Sequence, residues 1–380
     1  MIQLNSKYDC CGCSACAQSC PKECIIMRAD EEGFLYPQID TDTCINCGLC
    51  ERVCPVINQS LPQKPHSVYA AKNKNEDIRL KSSSGGLFTL LAERTINNGG
   101  VVFGAKFNDD WSVIHDYTET IDGIKIFRGS KYLQSNTNIC YKSVRKFLKE
   151  GRKVLFSGTP CQIAGLHLFL NKEYPNLTTV DIICHGVPSP LVWHKYVGLL
   201  NSLTTSPLSK ISHRDKTEGW KMFGIKAINN NNEIVCQENL QKNIYLKTFL
   251  SNLCLRPSCY KCPCLSNKSH SDITIADFWG IEKEIPEFDD DRGCNIILVN
   301  SEKGSEIFNS LDCEKIETNF ENAIKYNTSY NKSVNEPKYR TYFFKNFHKK
   351  GFAIYDIIQH KQRPSLMQRI ASRIKHLILK

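Results

Sequence analysis

The chain has 380 residues, 41% hydrophobic and 23% charged, with 20 cysteines and a formal charge of +10. This composition excludes a disordered or fibrous chain, and the absence of any run near 18 apolar residues excludes a spanning helix. The start MIQLNSKYDC has no basic or apolar leader pattern, so the cysteines are expected in a reducing cytoplasm, bound to metal rather than paired as disulfides.

In chain order, Cys10, Cys13, Cys16 and Cys20 followed by Pro21 read C-x2-C-x2-C-x3-C-P. Cys44, Cys47, Cys50 and Cys54 followed by Pro55 repeat that pattern 34 residues on. This is the spacing of bacterial two-cluster ferredoxins, in which the fourth cysteine of each set serves the other cluster. Cys10, Cys13, Cys16 and Cys54 are therefore expected to hold one [4Fe-4S] cluster, and Cys44, Cys47, Cys50 and Cys20 the second. Zinc favours paired C-x2-C knuckles rather than triplets followed by C-P. Cys11 and Cys24 fall out of register and read as packed thiols. Three clusters at about −2 each would reduce the positive charge to about +4, so the basic balance does not argue for nucleic acid. Between the sets, IIMRADEEGFLYPQID reads as a hairpin with Gly33 at its turn. Residues 57–67, rich in proline and polar side chains, read as a linker.

SVYAAKN reads as a strand. Ser82–Ser84 and Gly85–Gly86 then lead into a helical pattern ending at Gly99–Gly100, and VVFGAKF reads as a buried strand. A serine–glycine approach to a helix can cradle a phosphate on free N–H groups, or can simply cap the helix. VLFS, a helix over Gln162–Leu170 and TVDIIC form a strand–helix–strand unit with parallel strands. That places Cys161 and Cys184 at the carboxyl edge of one sheet, where open α/β sheets bind ligands. A loop over residues 213–221 carries Arg214, Asp215, Lys216 and Trp220, either as an anion site or as a solvated turn. Cys259 and Cys262 form C-x2-C, with Cys254 and Cys264 nearby, and DITIADF reads as a strand. With Cys161 and Cys184, the C-x2-C pair would complete four thiolates for a third cluster. Cys140, Cys236, Cys294 and Cys313 read as structural.

Together the duplicated quartet, SSSGGLFTLL, GTPCQIAGL, DIICHGVPSP, RDKTEGW, LRPSCYKCPC and SDITIADFWG resemble the coenzyme F420 hydrogenase/dehydrogenase beta-subunit family. The resemblance covers most of residues 1–330. It implies a flavin- and iron–sulfur-containing oxidoreductase, with FAD in the domain that carries Ser84, Gly85, Gly86, Asp277, Trp279 and Gly280. It also implies Cys161, Cys184, Cys259 and Cys262 as ligands of the inner cluster. The DFWG ending and the lysine- and asparagine-rich chain look more like a bacterial branch associated with surface-polysaccharide genes, so the deazaflavin coenzyme itself is not assumed as acceptor.

The expected fold is α+β followed by α/β. A ferredoxin-like domain at 1–60 precedes a mixed α/β flavin- and cluster-binding domain, formed by 61–145 and by 146–330 with the inner cluster. A helical basic tail fills 331–380. Residues 365–380 form an amphipathic stretch that reads either as a peripheral contact at the inner membrane face or as a packing helix. The expected partners are a redox protein, such as ferredoxin or another oxidoreductase subunit, and a small-molecule acceptor. No catalytic acid or base is assigned. Two other readings are a non-enzymatic electron-transfer subunit and a zinc-stabilised interaction protein.

Overall fold

The structure is a computed structural model and describes residues 1–362. Between the two cysteine quartets, Ile25–Ala29 (β1) and Leu35–Ile39 (β2) pair antiparallel. Asp30 closes their turn, its Oδ1 accepting from the N–H groups of Glu32 (3.0 Å) and Phe34 (2.9 Å). Gly33 sits at φ +85°, and a Cβ there would lie 2.6 Å from the Leu191 backbone nitrogen, so both conformation and space require glycine.

Ser67–Asn73 (β3), Val101–Phe107 (β4), Val113–Thr118 (β5), Val154–Ser157 (β6) and Leu177–Ile182 (β7) follow. Leu208–Asp215 (β8), Gly224–Asn229 (β9) and Ile234–Asn239 (β10) form a separate antiparallel sheet. The chain then returns to the main sheet with Ile273–Asp277 (β11), Asn295–Val299 (β12) and Cys313–Glu317 (β13). That sheet has eight strands in the order β13-β3-β12-β11-β7-β6-β4-β5. Its centre, β11-β7-β6-β4, is parallel and its flanks are antiparallel. The run NIILV of β12 is buried throughout, as a strand covered on both faces must be, whereas the edge strand CEKIE is polar and half exposed. Segments 61–145 and 146–330 both contribute strands to this one sheet.

The strand–helix–strand unit is β6, the helix Pro160–Leu170 and β7, with β6 and β7 parallel. The helix starts ahead of Gln162. Pro160 takes its first position, and Thr159 and Gln162 form a capping box. Cys161 therefore lies inside the first turn, and Cys184 lies just beyond β7. The stretch 213–221 also departs from expectation. His213, Arg214 and Asp215 are the end of β8 rather than part of a loop, and the side chains of His213 and Arg214 are buried.

The three-stranded sheet shares a core with the helices Pro190–Asn201, Ile244–Leu250, Arg340–Lys350 and Ala353–Gln362, built on Trp193, Tyr196, Tyr245, Phe343 and Phe347. The N-terminal hairpin is fastened to this core by a buried ion pair. Arg340 donates to both carboxylate oxygens of Glu32 (3.0 and 2.5 Å) and to the Leu255 carbonyl (2.8 Å). Phe34 meets Phe344 edge-on beside it. The stretch 365–380 lies outside the described residues. Among those described, no helix is long and apolar enough to cross a membrane.

Candidate functional site

The crossed quartets occupy the N-terminal unit. Cys44, Cys47 and Cys50 line one small cavity with Cys20, contributed by the first set, and with Cys24. Cys24 is out of register in the sequence, yet its Sγ lies 3.3 Å from that of Cys20. The Ile2 N–H donates to Cys50 Sγ at 3.3 Å. The thiols of Cys10, Cys16 and Cys54 neighbour one another. Burial, then Cys10 and Cys54, pushes Cys16 up to about 12. The Cys13 sulfur turns toward the helix Pro160–Leu170, 3.0 Å from where a Gly165 Cβ would sit. Gly165 is four residues after Cys161, on the same face of that helix, so the first quartet rests one turn from Cys161.

A cavity of about 640 Å³ opens at the carboxyl edge of the parallel strands. Cys161, Cys184, Cys259 and Cys262 all line it, and Cys11 reaches it from the N-terminal unit. Thr159 Oγ1 lies 3.2 Å from Cys161 Sγ, and the Val187 N–H donates to Cys259 Sγ at 3.4 Å. Burial, then Cys259, Cys161 and Cys262, holds the Cys184 thiol well above its usual range. The Cys11 thiol, then burial, does the same to Cys161. Four thiols in one dry pocket cannot ionise together without a cationic core between them. This all-sulfur donor set fits an iron–sulfur cluster. Cys254 is packed in the core around the three-stranded sheet, and Cys264 is buried off the cavity wall.

Another wall is built from the approach to the helix Leu87–Asn97. Ser82, Ser83, Ser84 and Gly86 line it, and no side chain caps that helix. Ser83 Oγ accepts from the N–H (2.6 Å) and hydroxyl (2.8 Å) of Ser130, which joins the serine loop to residues 127–134. Arg128 Nε donates to Thr89 Oγ1 (3.2 Å), which holds its guanidinium beside the helix's first turn. A cation and a free helix N-terminus on one wall favour an anionic group. Lys131 is fastened by three carbonyls, those of Ile126, Phe127 and Arg128. This segment was missed in the sequence, where its only signal is Gly129, at φ +84°, between Arg128 and Lys131 in FRGSKY.

The end of β11 supplies the last wall. Arg214 donates to both oxygens of Asp277 (2.7 and 2.9 Å) and to the Tyr132 hydroxyl (3.1 Å). Trp220 Nε1 donates to Asp277 as well, and Trp279 stacks on Trp220 at 4.9 Å. Asp277 thus aims Arg214 and Trp220 rather than offering a free carboxylate, while Trp279 presents a flat face to the cavity. Lys216, expected as an anion ligand, instead donates to the carbonyls of Arg79, Ser84 and Arg292. Gly85 and Gly280 are off the cavity wall. A Cβ on Gly85 would meet the Ala71 carbonyl at 2.6 Å, and one on Gly280 the Tyr326 ring at 2.0 Å, so close backbone packing explains both glycines.

His115 lines the same cavity. Its Nε2 lies 3.0 Å from the Ser157 carbonyl and its Nδ1 lies 2.6 Å from Ser135 Oγ. A carbonyl only accepts, so Nε2 carries the proton and Nδ1 accepts, which makes the ring neutral. Burial lowers its pKa to about 4. The folded value lies below the ordinary one of about 6.5, so the contribution to stability is complete above that pH and is lost as pH falls toward 4. Denaturant midpoints measured across this window are expected to fall more steeply for the wild type than for His115→Gln, by on the order of 3 kcal/mol in total. Parallel curves would refute this.

Residues 151–323 match the model of the C terminus of the coenzyme F420 hydrogenase/dehydrogenase beta subunit, and residues 9–58 match a 4Fe-4S dicluster domain. The chain belongs to the coenzyme F420 hydrogenase/dehydrogenase beta-subunit family. This member of the family is 24% identical over 186 residues to a subunit of F(420)H(2) dehydrogenase from Methanosarcina mazei, covering 46% of this chain and 51% of that protein. A 7Fe ferredoxin of Hydrogenibacillus schlegelii is 46% identical over 43 residues, 11% of this chain and 49% of the ferredoxin. The chain therefore spans about half the length of these curated relatives. Among solved structures, the F420-reducing [NiFe] hydrogenase complex from Methanosarcina barkeri is similar at a TM-score of 0.46 and 16% identity, over 67% of this chain and 83% of that one. The family and the dicluster domain make this an iron–sulfur protein related to electron-transferring oxidoreductases.

Proposed function

We propose that the chain is an iron–sulfur flavoprotein oxidoreductase with three [4Fe-4S] clusters and one FAD. Two clusters belong to the N-terminal quartets, crossed through Cys20 and Cys54. The third is held by Cys161, Cys184, Cys259 and Cys262, and the flavin shares their cavity. The observation that carries this reading is that cavity. About 640 Å³ is bounded at once by four cysteines, by an uncapped helix N-terminus with Arg128, and by the flat Trp279 face. Its volume is of the size that holds a cofactor. When bound, a flavin exchanges two electrons with a substrate and single electrons with clusters.

The chain's own residues supply the rest. Ser83, Ser130, Arg128 and the helix N-terminus neutralise and orient an anionic group, the cofactor diphosphate. Trp279, backed by Trp220, offers a stacking surface for a planar ring. The Ile2 and Val187 N–H groups aimed at Cys50 and Cys259 lower the charge on those sulfurs, which tunes potential. Cys13 against Gly165, one turn from Cys161, gives electrons a packed route between the N-terminal unit and the cavity. The relative named as part of a dehydrogenase supports a further redox subunit or a ferredoxin as donor. The acceptor is a small molecule. The DFWG ending, similar to the bacterial branch noted above, supports one in surface-polysaccharide metabolism.

Anaerobic purification with iron, sulfide and flavin quantitation tests the reading. About twelve iron atoms and one flavin per chain are expected. About eight iron atoms would remove the inner cluster, and clusters without flavin would leave an electron-transfer subunit.

A further inference from the structure

Arg256 is fully buried, yet among the described residues it pairs with no carboxylate. Its Nε donates to the Cys10 carbonyl (2.7 Å), and its two terminal nitrogens donate to Gln134 Oε1 (2.8 Å) and the Leu35 carbonyl (2.9 Å). Its guanidinium lies over the Tyr36 ring at 4.2 Å. Every one of these partners is neutral. The other deeply buried arginines differ: Arg79 has Asp290, Arg214 has Asp277 and Arg340 has Glu32. Arginine cannot discharge itself by losing a proton, so a buried guanidinium without a counter-ion is strongly unfavourable.

Its position explains why it is kept. On one side it grips the Cys10 loop, and a Cβ on Gly12 would lie 2.8 Å from its terminal nitrogen. On the other, its own carbonyl accepts from the Cys259 N–H at 3.0 Å. Gln134, which accepts from it, donates in turn to the Cys11 carbonyl (3.4 Å). Arg256 thus stands between the first N-terminal quartet and the C-x2-C turn of the cavity.

We propose that Arg256 is the built-in counter-charge of the iron–sulfur centres on either side of it, and that its fixed cation holds their reduction potentials up. The proposal rests on the cluster assignment of the preceding subsection. A cubane with four thiolates is anionic and gains a further negative charge on reduction, so a desolvated cation nearby favours the reduced form. Arg256 is a positioning residue in this role. It donates to backbone carbonyls and acts on the clusters through its charge.

The test uses the full chain, purified anaerobically as wild type, Arg256→Gln and Arg256→Lys. Iron is counted first, and midpoint potentials are then read by EPR-monitored redox titration. Arg256→Gln is expected to keep its iron and to lower at least one midpoint by about 59 mV, a tenfold fall in the reduced-to-oxidised ratio at fixed potential. Arg256→Lys, which keeps the charge, should stay closer to the wild type. Full iron with unmoved midpoints in Arg256→Gln overturns the proposal while leaving the cluster assignment intact. A wild type without inner-cluster iron sinks the assignment itself. Should Arg256→Gln lose iron, Arg256→Lys decides: iron and midpoints near wild type support the counter-charge, and loss of iron there too reduces Arg256 to a structural clamp.

Discussion

Changing Cys161 to serine is expected to remove about four of about twelve iron atoms per chain and to leave the eight of the N-terminal unit in place. Cys161 lies in the first turn of the helix Pro160–Leu170 and lines the cavity with Cys184, Cys259 and Cys262. A serine hydroxyl is too hard and too weakly acidic to replace a thiolate on iron. Cys254→Ser, at a position packed in the core and off the cavity wall, should keep the full complement. Iron counting with EPR of the reduced protein separates the outcomes. A Cys161→Ser variant with unchanged iron and an unchanged spectrum would move the third cluster elsewhere or remove it.

Glu32→Ala should produce the largest loss of stability of any single substitution away from the cysteines. The Glu32 carboxylate takes two hydrogen bonds from Arg340, and both side chains are at most 10% exposed. Its removal leaves the guanidinium buried with only the Leu255 carbonyl, at a cost of about 3–5 kcal/mol. The double variant Glu32→Ala/Arg340→Leu should recover part of that, because the stranded charge goes with it. Urea unfolding of the anaerobic protein reads both. A Glu32→Ala midpoint equal to that of the wild type would show that the pair contributes nothing. The variant should also loosen the N-terminal unit, because Glu32 sits in its hairpin and Arg340 in the distant helix Arg340–Lys350.

The parts of this molecule that were legible in its sequence are those written locally. The exact offset between the two quartets indicated the crossed partners, and the structure places Cys20 in one cavity with Cys44, Cys47 and Cys50. Apolar runs bounded by glycine and proline marked β6, β7 and the helix between them. Four cysteines from three distant stretches were read as one set, and they do line one cavity. What could not be read was pairing at long range. Arg214 looked like a surface cation because nothing nearby announces that Asp277 will neutralise it from another sheet. Lys216 looked the same, although its ammonium is consumed by three carbonyls. Ser130 and Arg128 carried no periodic signal, since a loop has none. Gly85 and Gly280 looked like ligand-facing glycines, but glycine marks any close approach, and here the neighbour is protein.

The large cavity draws its wall from Cys11 at one extreme and Val334 at the other, with every major segment between them contributing. On the ribosome, then, this pocket is among the last features to take shape, whereas the two N-terminal quartets emerge early and lie close together in the chain. Maturation is accordingly staged. The outer iron sites are ready to be filled while synthesis continues, and the inner compartment stays open-sided until Lys332–Val334 arrives to close it.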